Sequence, residues 1–331
     1  MAEAASINKS QPQARTVSPK AQQVITLLTQ KVAVPVVGVL VFLMLWSFAA
    51  SNIDTSLGKF PGPAAVWEQF GNLYQEHQAE REKEAAFFER QEKRNAMRVA
   101  QDPTYEPKIR DYTGKETFLD QIYTSLVTVM SGFFVAAFIA IPLGIAIGLS
   151  KTLNTAINPI IQTFKPVSPL AWLPLVTMVV SALYVSPDPM FAKSYIVSMI
   201  TVTLCCLWPM VINTSVGVAS IDQDLVNVSK VLRLPALKHV QKIVLPASIP
   251  MIFTGMRLSL GVAWMVLIAA EMLAQNPGLG KFVWDEFQNG SSSSLSRIMA
   301  AVIVIGLIGF LLDRCMLLIQ RYVSWDKSAE L

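Results

Sequence analysis

Charged residues are scarce in this chain of 331 residues, which excludes an ordinary soluble domain. They make up 15% of the sequence, against about 25% in average soluble proteins. Hydrophobic residues make up 53%. The formal net charge of +4 is small and scattered along the chain. It therefore gives no support to a nucleic-acid-binding protein.

Residues for metal, disulfide and nucleotide chemistry are also few. The two histidines, His77 and His239, are far apart, and no Cys/His spacing indicates a zinc site. Cys205, Cys206 and Cys315 lie inside apolar runs, where buried thiols are favoured over a strained Cys205–Cys206 disulfide. No G-x-x-x-x-G-K motif is present, so this chain does not hydrolyse ATP by that route. We expect no catalytic residue, cofactor or metal in this chain.

Long apolar runs dominate the sequence and predict an all-α polytopic membrane protein with six transmembrane helices. A cleavable signal peptide is the alternative for the first run, because Ala49, Ala50 and Ser51 are small. The long polar lead and extended apolar core favour a retained helix. The predicted spans are about Ala33–Ala50, Ser125–Leu149, Pro159–Val185, Ser194–Val218, Ile249–Leu273 and Arg297–Ile319.

Between the first two spans lies a hydrophilic segment, 51–120, with a predicted turn at its start. A short amphipathic helix is expected over Ala64–Tyr74, and a second helix over Gln75–Val99 that Pro103 and Pro107 break. A solvated helical hairpin is the favoured interpretation. The later segment Ala274–Ser296, rich in glycine and serine, is expected to be a re-entrant or surface loop.

A polar, basic segment, 222–250, interrupts the apolar sequence and predicts a helix–turn–helix that docks in a partner's groove. Leu225, Val228 and Leu232 form one apolar stripe at helical spacing. Asp222 is the expected N-cap, and Pro235 is expected to stop the first helix and begin a second. The opposite face carries the basic residues Lys230, Arg233 and Lys238.

This segment resembles the cytoplasmic coupling loop of ATP-binding-cassette (ABC) importer permeases. The pattern there is Glu-Ala-Ala, three residues, Gly, nine residues, Ile-x-Leu-Pro. Asn227-Val228-Ser229 stands at the Glu-Ala-Ala position, Arg233 at the Gly, and Ile243-Val-Leu-Pro246 at the end. Further stretches are similar to the nitrate/bicarbonate/sulfonate (taurine) branch: 246–250, 254–257 and 278–280.

The resemblance implies a type I importer permease fold in a bacterial inner membrane, with cytoplasmic coupling helices. It also implies a homodimer in lipid, two ABC ATPase subunits that bind ATP and Mg, and a periplasmic solute-binding protein. This chain would then be no enzyme itself. The segment 72–118, whose role stays open, could also be an external platform for the binding protein. The coupling residues implied are Leu225, Asn227, Val228, Ser229, Leu232, Arg233, Leu234 and Pro235.

Basic residues set the expected orientation. The amino-terminal tail, Lys151, the coupling loop and the carboxyl end fall on one face, which the positive-inside rule makes cytoplasmic. Both termini are then cytoplasmic. The expected division is a disordered tail 1–31, a first transmembrane helix 32–51, a periplasmic loop 52–120, a core permease domain 121–321 with coupling loop 219–247, and a tail 322–331.

The third predicted span contains Pro159, Pro166, Pro169 and Pro174. Because broken backbone at membrane depth persists only where protein or a water-filled cavity lines it, this span is expected to border the translocation path. A proline-kinked packing helix is the alternative. The candidate path residues are Lys165, Ser168, Trp172, Ser125, Thr128, Asn213 and Arg257.

Two of these candidates are cations inside spans, a costly placement that indicates function. Lys165 and Arg257 are expected at a depth of roughly 10–12 Å from the cytoplasmic side, which suits passage of an inorganic anion. Snorkelling to headgroups is the alternative for both, and a structural role is favoured for Arg257 and for Glu271.

Resemblance in 282–289 to the nitrate/bicarbonate branch favours import of nitrate or nitrite, with bicarbonate or cyanate next and a sulfonate such as taurine as runner-up. A secondary anion transporter would need an intramembrane ion relay and an inverted repeat, and neither is visible. A membrane scaffold for a soluble enzyme would leave the broken third span unexplained.

Overall fold

A computed structural model describes residues 30, 33–55, 58–102, 104–185, 189–291 and 293–323. The predicted amino-terminal tail 1–31, apart from Gln30, lies outside the described residues. So does most of the tail 322–331. In the described ranges the elements are α1 Val34–Asn52, β1 Asp54–Thr55, β2 Gly58–Lys59, α2 Pro63–Gln101, α3 Phe118–Leu149, α4 Lys151–Phe164, α5 Pro169–Leu183, α6 Lys193–Ala219, α7 Gln223–Val231, α8 Ala236–His239, a π-helical stretch Val240–Val244, α9 Leu245–Ala274, α10 Leu279–Asn289 and α11 Ser294–Val323.

The chain divides into two compact units, Met1–Pro63 and Ala64–Leu331. In the first, α1 exposes large apolar side chains all round, as a lipid-facing helix does, and buries only Ala50. A two-residue antiparallel ladder pairs Asp54 with Lys59. The Trp46 indole N–H donates to the Pro61 carbonyl at 3.2 Å.

Five helical segments of the described residues are long and apolar enough to cross a membrane, or six if the bent pair α4–α5 counts as one span. α1, α3, α6 and α11 are four of these segments, and the fifth is the continuous run Ala236–Ala274 that contains α9. They cover five of the six apolar runs from which spans were predicted, and the bent pair covers the third. The all-α class follows directly from the length and hydropathy of those runs.

The core of the second unit forms where α6 packs between α3 and α9. Two glycines of α3, Gly144 and Gly148, lie in this contact. A Cβ on Gly144 would come within 2.6 Å of the Thr214 Cβ, and one on Gly148 within 2.6 Å of the Val218 Cβ. Glycine lets the two backbones approach closely here, which favours helix association in lipid.

The third predicted span differs from expectation, because it is two helices bent by 99° at residues 165–168. Residues 151–158, expected as part of a loop, are instead the first part of α4, which the Ser150 hydroxyl caps by accepting from the Leu153 N–H at 3.2 Å. Ser168 is extended, with ψ of 139°, as a residue before proline prefers. The second helix of the pair, α5, therefore begins at Pro169.

The hydrophilic segment also differs, because α2 is one unbroken helix of 39 residues where two helices in a hairpin were expected. No proline interrupts it between Pro63 and Gln101. The chain then returns along α2 in irregular conformation as residues 102 and 104–116, the strap. Gln91 fastens the strap, because its amide donates to the Arg110 carbonyl at 3.2 Å and accepts the Arg110 N–H at 2.8 Å.

The expected loop Ala274–Ser296 contains a third departure, the 11-residue helix α10. Gln275 and Gly290, both with positive φ, end α9 and α10 respectively. Leu279, Gly280, Phe282 and Glu286 of α10 are buried. This helix therefore packs into the fold rather than forming a loose surface loop.

Candidate functional site

The coupling segment folds as two short helices joined by a tight turn. The Asp222 carboxylate accepts the Asp224 N–H at 2.9 Å, which confirms the predicted N-cap of α7. Pro235 is extended and precedes α8, so it separates the two helices as expected. The second helix continues through the π-helical stretch into α9, which connects the turn directly to a membrane span.

Arg233 has a φ of 49°, the left-handed conformation that glycine adopts most readily. It stands where the resembled motif has glycine. The Leu234 N–H donates to the Ser229 carbonyl at 3.1 Å, which closes the turn. The backbone therefore keeps the glycine-type geometry although the side chain has changed, at a cost of about 1–2 kcal/mol for a residue with a Cβ.

Ser229 and His239 join the two coupling helices through a hydrogen bond of 2.7 Å between Oγ and Nδ1. Ser229 is buried, whereas Asn227 on the same helix is exposed. Packing in this turn explains why a small residue stands at position 229. The bond fixes the relative direction of α7 and α8.

The predicted apolar stripe of the coupling segment is exposed to solvent. Leu225, Val228 and Leu232 are 45%, 49% and 63% exposed. Leu234 is half-buried under the turn. Such a row of unpartnered apolar side chains on short polar helices is the surface that a helix-in-groove contact buries.

Three candidate path residues lie at the bend between α4 and α5. Lys165 and Ser168 are exposed, and the Ser168 hydroxyl accepts the Leu170 N–H at 3.3 Å as N-cap of α5. Trp172 packs on Phe164 with ring centroids 5.7 Å apart. Phe164 also stacks on Trp208 of α6 at 6.1 Å. The assignment of these residues to the path stays a prediction.

Arg257 forms an ion pair with Asp313 of α11, with Nε–Oδ1 at 2.5 Å and Nη2–Oδ2 at 3.0 Å. This contact connects α9 with α11 and favours the structural role for Arg257. Sequence reasoning missed Asp313, although a lone acid inside an apolar run signals that a cationic partner exists elsewhere in the membrane. Asn213 donates to the Pro209 carbonyl at 2.8 Å within α6.

Ser125 and Thr128 are fully buried beside Glu271 rather than on an open surface. The Ser125 hydroxyl contacts the Glu271 carboxylate and accepts the Leu279 N–H at 2.9 Å. Asn276, which sequence reasoning missed, lies 3.4 Å from the Thr128 hydroxyl. Their assignment to the path stays a prediction, and in this conformation they hold α3, α9 and α10 together.

At the same end of the helices, α2 is fastened to α11 and α10. Arg297 makes a bidentate ion pair with Glu76, with N–O distances of 2.6 and 2.9 Å. Its Nε also lies 2.6 Å from a carboxylate oxygen of Glu286. The hydrogen bond from Arg297 lowers the pKa of the Glu76 carboxyl. Hydrogen bonding from Tyr112 likewise lowers the pKa of Glu80.

No cluster of three metal-ligating side chains occurs in the part of the chain that the structure describes. The described residues thus present an exposed apolar stripe on the coupling helices, a bent helix pair α4–α5, and, at the other end of α9, a module formed by α2, the strap and α10.

The family model for the inner membrane component of binding-protein-dependent transport systems matches residues 140–325. The chain belongs to this family. That match begins near the end of α3 and runs past the end of α11, so it covers α4 to α11 with the coupling segment. The chain is thus a multi-pass permease subunit of an ABC importer, a transport component.

Curated relatives place the permease in the branch expected from its motifs. It is 32% identical over 88% of its length to the bicarbonate transport system permease protein CmpB of Synechococcus elongatus, covering 89% of that protein. It is 39% identical over 61% of its length to the nitrate import permease protein NrtB of Synechocystis sp., covering 69% of it. The taurine transport system permease protein TauC of Escherichia coli is 31% identical over 66% of this chain and 76% of its own.

Among solved structures, the permease resembles a chain of the MetNI methionine ABC transporter in an inward-facing conformation. The TM-score is 0.54 at 13% identity, over 62% of this permease and 95% of that chain. At this identity the likeness speaks for the fold alone. It confirms the expected type I importer permease fold.

Proposed function

We propose that this permease forms the membrane pathway through which a small inorganic oxyanion, nitrate or nitrite, is imported at the expense of ATP. The assignment of the substrate rests on one observation, the 39% identity to a nitrate import permease. Lys165, an exposed cation at the bend of α4 and α5, supports it, because an anion crossing hydrocarbon needs a compensating charge.

The proposed assembly contains two copies of this permease, two ATPase subunits on the cytoplasmic side and a solute-binding protein on the outer side. The ATPases bind ATP and Mg and contact the stripe of Leu225, Val228 and Leu232. Closure of the ATPases moves α7 and α8, and α9 transmits that motion to the core, a two-state change biased by nucleotide. Both termini and the coupling loop 219–247 are cytoplasmic, and 52–120 is periplasmic, in this proposal.

Bicarbonate is the second candidate, because the alignment with the bicarbonate permease extends over 88% of this chain, well beyond the core. The two candidates are separated by reconstituting the complex with its binding protein and measuring ATPase activity with nitrate, nitrite, bicarbonate, cyanate and taurine. Stimulation by nitrate or nitrite supports the proposal. Stimulation by bicarbonate alone or by taurine alone contradicts it.

Lys165→Ala in the same complex tests the path residue. We expect transport of the stimulating anion to fall about tenfold or more, since a compensating charge near the path is removed. Lys151→Ala is the matched control, because Lys151 is an exposed lysine at the opposite end of α4. Equal transport by both variants would remove Lys165 from the path.

A further inference from the structure

The module formed by α2, the strap and α10 contains a cavity of about 250 Å³ that neither the coupling surface nor the proposed path uses. It lies between α2, the end of the strap and α10. The coupling helices lie at the opposite end of α9, whose 30 residues separate the two sites by about 45 Å. Its charged and amide lining residues are Glu76, Glu80, Lys83, Lys115, Glu116, Gln121, Asp285, Glu286 and Arg297.

Most of the carboxylates around this cavity already have partners. Glu76 and Glu286 are paired with Arg297. Glu80 accepts the Tyr112 hydroxyl at 2.7 Å and the Lys83 ammonium at 3.1 Å. Asp285 is paired with Lys281 at 2.5 Å. These pairs engage four carboxylates with three cations, and Lys115, which also lines the cavity, supplies a fourth positive charge. Apart from Glu116, the charges of these walls therefore balance.

Two acceptors in the cavity lack a donor. Glu116 is exposed and makes no hydrogen bond or ion pair with another described residue. Burial and the neighbouring charge of Asp120 raise the pKa of its carboxyl, and the charge of Lys281 offsets this only in part. The side chain of Gln121 is only 8% exposed, and its Oε1 has no partner in the described residues. A buried carbonyl oxygen left unpaired is unfavourable, because it has lost its hydrogen bonds to water without a replacement.

An occupant that satisfies both acceptors must bring N–H donors and a positive charge. Guanidinium and ammonium groups have these properties and accept no hydrogen bonds themselves. A complete small-molecule ligand fits less well, since pockets for such ligands usually have about 300–1,000 Å³. A single long side chain entering from outside matches the volume and the exposed Glu116.

We propose that this cavity receives an arginine or lysine side chain of the solute-binding protein, with Glu116 and Gln121 as its acceptors. This rests on the proposed function, since the family depends on a binding protein and the cavity lies at the outer end. The charge of Glu116 then strengthens docking and fixes the position of the binding protein on the permease, as complementary charge pairs at interfaces do.

The experiment measures ATPase activity of the reconstituted complex against the concentration of its binding protein. In Glu116→Gln the concentration for half-maximal stimulation should rise about tenfold, with the stimulated rate recovering at saturation. Gln121→Leu, which keeps the volume and removes the acceptor, should raise it as well. Asp111→Asn is the control, because Asp111 is an exposed strap acid outside the cavity, and it should match wild type.

Salt dependence gives a second readout. Raising NaCl from about 50 mM to about 500 mM should weaken binding-protein stimulation in wild type more than in Glu116→Gln, because screening acts on the charge pair. Half-maximal concentrations within twofold of wild type for both cavity variants would overturn the inference. So would calorimetric binding of free arginine to the complex without binding protein, if Glu116→Gln abolishes it, since the cavity would then be a small-molecule site.

These outcomes are separate from failure of the proposed function. If no binding protein stimulates the ATPase with any of the five anions, the proposed function itself fails. If stimulation is present and insensitive to both cavity variants, only the docking inference is wrong.

Discussion

The hydroxyl of Ser125 lies 2.9 and 2.8 Å from the two carboxylate oxygens of Glu271, although 146 residues separate them in the chain. The Gly280 N–H donates to the same carboxylate at 3.0 Å. One fully buried acid thus joins α3, α9 and the start of α10. A buried charge is tolerated only when it is hydrogen-bonded. Loss of any one member of this cluster should therefore destabilise the others.

Glu271→Ala should destabilise the permease by roughly 2–5 kcal/mol. The change leaves the Ser125 hydroxyl and the Gly280 N–H without their acceptor, at about 1–3 kcal/mol each. Thermal denaturation of the purified protein in detergent, followed by tryptophan fluorescence, measures the effect. Glu89→Ala is the control, because Glu89 is exposed and makes only a surface pair with Lys93. Similar melting of both variants would refute the structural role of Glu271.

Gly280→Ala should loosen α10 from α9. An added Cβ would lie 2.1 Å from the Ile268 carbonyl oxygen, a backbone atom that cannot move aside cheaply. We expect faster hydrogen exchange across α10 and a lower melting temperature. Gly261→Ala is the matched control, because a Cβ at that position meets nothing within 4 Å. If the two variants exchange alike, the close approach at Gly280 does not limit stability.

Arg233→Gly should stabilise the coupling turn by about 1 kcal/mol, because glycine adopts the left-handed conformation without the Cβ penalty. Hydrogen exchange of residues 232–236 should slow. Lys230→Gly provides the contrast, since glycine inside α7 costs about 1 kcal/mol of helix stability. Slower exchange in both variants, or in neither, would contradict a strained Arg233.

Val228→Asp should release the ATPase subunits while the permease stays folded in the membrane. A charge in the centre of the exposed stripe would be buried without a partner on docking. Co-purification of the ATPase measures this. Val99→Asp is the control, as Val99 is an exposed valine near the end of α2. Retention of the ATPase at wild-type stoichiometry by Val228→Asp would rule out docking through this stripe.

The Glu76–Arg297 pair should make attachment of α2 depend on pH. The folded pKa of Glu76 lies below its ordinary value of 4.5. The stabilisation is therefore present above about pH 4.5 and is lost as pH falls through the folded pKa. Hydrogen exchange in residues 70–80 should accelerate on acidification. In Glu76→Gln the exchange should be faster at neutral pH and less sensitive to acid.

Spans and coupling helices could be predicted because their signals are local. Runs of apolar residues give the spans, and Leu225, Val228 and Leu232 repeat at helical spacing. The bend at 165–168 was harder, because prolines mark a break without telling its angle. The continuity of α2 was missed because a turn was expected near residue 75. Nothing in the sequence of α2 requires that turn.

The buried clusters could not be found in this way. Ser125 and Glu271, or Glu76 and Arg297, become neighbours only when helices distant in the chain pack together. Glu271 was expected to be structural, whereas Ser125 and Thr128 were expected on the path because polar residues in spans suggest function. A polar residue that satisfies a buried partner has the same sequence signature, so only packing distinguishes the two.

The helix α5 has 15 residues, which at 1.5 Å per residue rise about 22 Å. The hydrocarbon core of a bilayer is about 30 Å thick. Lipid beside α5 must therefore thin, or water and headgroups must reach the bend. If the proposed path runs along α5, the dry barrier in front of a permeating ion is about a quarter narrower there, before any subunit has moved.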